Sequence, residues 1–131
     1  MRRDKGSSWS RRDTYPDSRL ASLKRLAFKD YILHLDDENL IYVRFVTERG
    51  GVTQFVVKYN SRINDNWIEV IRYDSGHECP HKDILSPEGR VLRKVWFDYL
   101  DNAQALTLAI QDLKENYEFY RARFFKWLKS G

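Results

Sequence analysis

At 131 residues the chain is long enough for one hydrophobic core and too short for two. A composition of 42% hydrophobic, 32% charged and 15% aromatic residues excludes both an intrinsically disordered polymer and a membrane-embedded bundle. The formal net charge of +4 is gathered at the two ends, where a phosphate backbone would be attracted in a salt-sensitive, sequence-blind way.

Residues 1–17 hold Arg2, Arg3, Lys5, Arg11 and Arg12 among Ser, Gly and Pro, with no apolar periodicity. They are expected to form a basic flexible arm ahead of a single α+β domain over residues 18–131. Trp9 is expected to dock back onto that domain. Ser18 can cap a helix in which Leu20, Leu23, Ala27 and Tyr31 recur at helical spacing, which predicts a helix to about Leu33. Its remaining surface would carry Arg19, Lys24, Arg25 and Lys29.

From Leu40 the period becomes two, with Ile41, Val43 and Phe45 on one face, and after Glu48-Arg49-Gly50-Gly51 a second alternating run spans Val52 to Tyr59. A polar loop from Asn60 to Asn66 leads to a third strand from Trp67 to about Tyr73. The turn Ser86-Pro87-Glu88-Gly89 precedes a fourth, Val91 to Phe97. The expected sheet is a four-stranded antiparallel meander packed by a shorter N-terminal helix and a long C-terminal one.

The C-terminal helix carries the strongest pattern. Asp101 and Gln104 have the spacing of a capping box, and Leu106, Ile110, Leu113, Tyr117, Tyr120, Phe124 and Trp127 step along one face. Running to Lys129 it would be about 43 Å long at 1.5 Å per residue, longer than a four-stranded sheet is wide, so its end is expected either to be covered by the N-terminal helix, the reading slightly favoured, or to overhang the sheet. An overhanging end would set Phe124, Phe125, Trp127 and Leu128 beside Arg121, Arg123, Lys126 and Lys129, a surface suited to a partner protein or to stacked bases.

Polar chemistry concentrates in the run RYDSGHECPHKD after the third strand. Gly76 and Pro80 exclude a helix there, so a loop or extended segment is expected. His77, Cys79, His81 and Asp83 are residue types that zinc accepts, but they crowd one place and no second cluster exists, so no metal or other cofactor is expected. His77 and His81, with Arg72, Tyr73 and Asp74, also have the composition of a metal-independent ribonuclease site. One imidazole would take the 2′-hydroxyl proton, the other would serve the leaving oxygen, and a cation would face the developing charge. The opposite reading, histidines hydrogen-bonded for structure, needs no further residue.

The stretch WIEVIRYDSGHECPHKDIL, followed by ALTLAIQDLKENYEFYRARF, resembles an uncharacterised prokaryotic family with a strand ending in R-Y-D, then H-x-x-x-H-x-D, then a helix opening near A-L-T-x-A. The matching positions are Arg72, Tyr73, Asp74, His77, His81 and Asp83, with Ala105, Leu106, Thr107 and Ala109 in the helix. A second likeness, through Tyr73, Asp74, Gly76 and His81, is to TumE-type toxins of type II toxin–antitoxin pairs. It implies a toxin-like action on RNA.

Two functions are carried forward with equal weight. One is a small RNA-directed protein, cleaving or only binding, that uses the histidine run with Arg11, Arg12, Lys24, Arg121, Arg123, Lys126 and Trp127 as its nucleic-acid or partner surface. The other is a non-catalytic protein-interaction module working through the aromatic helix end. With one cysteine, no spanning apolar run and no secretory leader, a cytoplasmic protein that makes no use of a membrane is expected.

Overall fold

The structure is a computed structural model that describes residues 26–76 and 79–130. Within it lie β1 (Leu26–Asp36), β2 (Asn39–Glu48), β3 (Gly51–Ile63), β4 (Asn66–Asp74), β5 (His81–Leu85), β6 (Val91–Trp96) and the helix α1 (Asn102–Ser130). The strands form one antiparallel sheet in chain order, β1-β2-β3-β4-β5-β6. The α+β class stands, but the sheet has six strands where four were expected.

The first added strand takes the place of the described half of the expected N-terminal helix. Residues 26–33 pair with β2, from Leu26 opposite Glu48 to Leu33 opposite Ile41. The helical spacing misled for a geometric reason: Ala27 and Tyr31 are four apart, an even number, so they share a face in a strand as well as in a helix. Tyr31, Leu33 and Leu35 continue at period two, and pairing with β2 selects the strand. Residues 18–25 of that helix, the arm over residues 1–17 and the docking of Trp9 lie outside the described residues.

The second added strand, β5, begins inside the polar run, where a loop or extended segment was expected and no paired strand was counted. The expected loop from Asn60 to Asn66 is itself mostly strand, because β3 continues to Ile63 and turns in two residues. Asn64 and Asp65 both have positive φ, 53° and 65°, which is the mirror-image turn that suits strand twist. Asn and Asp tolerate that conformation better than other residues with a Cβ. Arg49 and Gly50 make the matching turn between β2 and β3, with φ of 53° and 83°.

The helix begins as its capping box requires: the Gln104 N–H donates to Asp101 Oδ1 at 2.8 Å, and the Asp101 N–H donates to Gln104 Oε1 at 3.0 Å. It packs on β2, β3 and β4. Ile41, Val43, Val57, Tyr59 and Ile71 from the sheet and Ala109, Leu113 and Phe124 from the helix retain no exposed surface. Full burial of a side chain such as Phe124 contributes about 1.5–3 kcal/mol. Because Phe124 is buried, and Phe125 and Trp127 pack against the core, the helix end does not overhang the sheet. Strands of up to 13 residues make the sheet long enough to receive it.

One end of the core is polar. Asn39 accepts through Oδ1 from Tyr59 and, at 2.8 Å, from Ser61 Oγ, while its amide donates to Asp36 Oδ1 at 2.9 Å. Arg121 reaches in from the helix, donating from Nε to Ser61 Oγ at 2.8 Å and from Nη2 to Glu38 Oε1 at 3.0 Å.

Candidate functional site

Antiparallel register sorts the polar run onto two faces. Residues directly opposite one another share a face, and neighbours along a strand do not. Tyr73 pairs with Lys82, so both lie on the helix side, where Val57 also sits. Arg72 pairs with Asp83, and Asp83 with Lys94; Asp74 pairs with His81, and His81 with Trp96. These six occupy the other face. The expected catalytic set is therefore divided: Arg72, Asp74 and His81 are on one side, Tyr73 is on the other, and His77 lies outside the described residues.

On the face away from the helix, His81 is 1% exposed. Its Nδ1 is 3.2 Å from the Cys79 carbonyl, its Nε2 is 3.7 Å from Asp83 Oδ2, and its ring lies 5.1 Å from that of Trp96. Lys94 Nζ donates to Asp83 Oδ1 at 2.7 Å, and Arg72 Nε to Glu69 Oε2 at 2.7 Å. Asp83 and Glu69 each hold a cation, Asp74 accepts from the Gly76 N–H, and the imidazole is packed away from water.

The helix side holds a denser constellation. Asp112, on α1, accepts from Tyr73 Oη at 2.6 Å, from Tyr120 Oη at 2.7 Å and from Asn116 Nδ2 at 2.7 Å. Lys82 Nζ donates to Tyr120 Oη at 2.6 Å and to Asp112 Oδ2 at 3.3 Å. Burial opposes ionisation of Asp112, but hydrogen bonds from Tyr73, Tyr120 and Asn116 and the charge of Lys82 outweigh it and hold the carboxyl below its ordinary range. Burial, with Asp112 as hydrogen-bond acceptor, pushes the Tyr73 and Tyr120 phenols up. Burial pulls the Lys82 ammonium down against the attraction of Asp112, and the charges of Arg123 and Arg93 add to that pull.

This is a place where cations outnumber anions. Lys82 Nζ stands 4.5 Å from the centre of the Tyr120 ring, and the Arg123 guanidinium carbon stands 5.3 Å from it. The same guanidinium lies 5.3 Å from the Phe119 ring and 5.1 Å from the Trp127 ring, and its Nε has no hydrogen-bond partner among the described residues. Phe119 is 61% exposed. One carboxylate, Asp112, thus stands against the Lys82 ammonium with the Arg123 guanidinium beside the same phenol, and Arg93 is close enough to add to the pull on Lys82.

Of the partner-surface residues expected from sequence, Arg11, Arg12 and Lys24 lie outside the described residues. Arg121 is tied to Glu38 and Ser61, whereas Arg123 and Trp127 belong to the cluster and Lys126 is exposed beside them. Sequence reasoning missed Arg93, Asp112 and Tyr120 as site residues. The available signal was Asp112 beside Leu113 in the apolar stripe, a carboxylate at the margin of a buried face that must find partners.

Among the described residues no three His, Cys, Asp or Glu side chains converge as metal ligands. No helix among them is long and apolar enough to cross a membrane. Comparison with curated proteins and with solved structures returns no match. Residues 24–130 match the family model described as a domain of unknown function, DUF7718, and since these residues are most of the chain, the protein belongs to that family.

Proposed function

We propose that this domain is a cytoplasmic RNA-directed protein that binds single-stranded RNA along the side of α1 facing β5 and β6. The observation that carries the reading is the convergence of Lys82 and Arg123 about Tyr120, with Arg93 close enough to Lys82 to act on its charge, Asp112 as counter-charge and the exposed ring of Phe119 alongside. Clustered cations track a phosphate backbone, and an exposed aromatic ring gives a base a sequence-tolerant stacking platform. Lys126 extends the basic stripe toward the helix end.

The reading is binding and not cleavage, because His81 is packed beneath Trp96. Toxin-like cleavage through His77 and His81, the version implied by the likeness to TumE-type toxins, is the outcome that end-labelled RNA would reveal. The rival reading, a protein-docking helix end, is left with Phe119 and Leu128 as its exposed large apolar side chains on α1, since Phe124 is buried and Phe125 and Trp127 pack on the core.

The test is anisotropy of labelled mixed-sequence single-stranded RNA over a salt series. Binding should weaken with salt, and replacing Arg93 and Arg123 together by Ala should lower the slope of log affinity against log salt by about 1.4, at about 0.7 per lost phosphate contact. RNA affinity absent at low salt, or a slope the double variant leaves unchanged, overturns the proposal.

A further inference from the structure

Among the described residues, half-buried arginines hold carboxylates, with one exception. Arg72 is paired with Glu69 and Arg121 with Glu38. Arg123 is half-buried as well, but among the described residues its guanidinium has neither a hydrogen-bond acceptor nor an ion-pair partner, and its Nε is buried. Three rings hold it instead: Phe119 and Tyr120, each at 5.3 Å, and Trp127 at 5.1 Å. Aromatic rings fix the plane of a guanidinium but give its N–H groups no acceptor, so the fork keeps its capacity for a bidentate anion. Lys82 is a second cation at the Tyr120 ring, 4.5 Å from its centre. It spends two of its three N–H bonds on Tyr120 Oη and Asp112 Oδ2, and the third has no acceptor among the described residues.

We propose that Arg123 and Lys82 bind the terminal phosphate of a single-stranded RNA, so that this surface recognises a phosphorylated RNA end in preference to an internal stretch; the proposal rests on the RNA-binding reading above. A terminal phosphomonoester carries about −1.5 to −2 charge near pH 7 and three unesterified oxygens, enough for a guanidinium fork and an ammonium at once. An internal phosphodiester has a single charge and fewer free oxygens. Asp112 offsets one of the cations, and Arg93, close enough to act on Lys82, adds another, so positive charge stays in excess at one ring. The exposed ring of Phe119, against the same guanidinium, leaves the terminal base a place to stack.

Anisotropy of short mixed-sequence RNA, labelled internally and carrying a 5′-phosphate, a 3′-phosphate or only hydroxyl ends, tests this on the full chain. At least one phosphorylated form should bind about tenfold or more tighter than the hydroxyl form, and the form that does so identifies the end. Arg123→Ala and Arg123→Lys, each checked for folding by circular dichroism, should both cut that preference to within about threefold, since a lysine keeps the charge but not the fork. Binding that ignores the state of both ends in the wild-type chain overturns this inference and leaves the RNA-binding reading standing. No binding of any form overturns both. A preference that persists in both folded variants puts the phosphate elsewhere and overturns the assignment to Arg123.

Discussion

Tyr73, on the fourth strand, donates to Asp112, on the helix 39 residues later, at 2.6 Å, and this bond joins the two layers of the fold at the floor of the candidate site. Tyr120 and Lys82 converge on the same carboxylate, so one side chain holds three groups in place.

Replacing Asp112 by Ala should therefore destabilise the domain by about 3 kcal/mol, since two phenols and a largely buried ammonium lose their acceptor together. Asp112→Asn keeps an acceptor oxygen and should cost less. Chemical denaturation of the two variants beside wild type measures the difference.

Acid should weaken the fold through the same residue. The folded-state pKa of Asp112 lies below its ordinary value, so its contribution is present above the unfolded carboxylate pKa of about 3.9 and is lost as pH falls through the folded value. Stability measured from pH 6 downward should fall over that acidic window, and the part of the fall due to Asp112 should be missing in Asp112→Asn.

Alkali should act through the phenols. Burial pushes Tyr59 up to about 12 and raises Tyr73 and Tyr120 as well. A phenol raised in the folded state stabilises fully below the unfolded value of about 10, and that stability is lost as pH rises toward the folded value. Ultraviolet titration of the native protein should thus show exposed tyrosines ionising first and these three only as the fold opens. Ionisation of all tyrosines in one step near pH 10, with the fold intact, would contradict the burial.

The polar end of the core is a separate network. Asn39→Ala strands the Tyr59 and Ser61 hydroxyls without their acceptor and should cost about 1–3 kcal/mol. Thermal melting is a direct check, and an unchanged Tm would mean the network relaxes without cost.

At the turn between β3 and β4, Asp65→Gly should stabilise by a few tenths up to about 1 kcal/mol, since Asn-Gly is the preferred pair when both central residues have positive φ. Asp65→Val should destabilise by about 1–2 kcal/mol, because a β-branched residue resists that conformation. Opposite signs in equilibrium unfolding are the expected result.

Legibility followed how local each signal was. Strands β2, β3 and β4 announce themselves because Ile41, Val43, Phe55, Val57 and Tyr73 alternate with polar residues, and α1 because its cap and apolar stripe lie within one segment. Segment β1 was misread because spacings of four satisfy both periods. Strand β5 was left open between loop and extended segment, and was not counted in the sheet, because it places Lys82 on the helix side and so lacks an apolar alternation. A lysine there is tolerated only because Asp112, thirty residues later, is waiting to accept from it.

The order of side chains alone thus determined the α+β class, the long capped helix and four of the strands, and it drew attention to the polar segment from Arg72 to Asp83. It could not determine which of those residues act together. That assignment depends on register, which puts Tyr73 and Lys82 beneath the helix and turns Arg72, Asp74 and His81 to the opposite face. Periodicity tells a residue from its neighbour, but only strand pairing and helix docking bring together groups 30 or 39 positions apart, such as Lys82 or Tyr73 with Asp112.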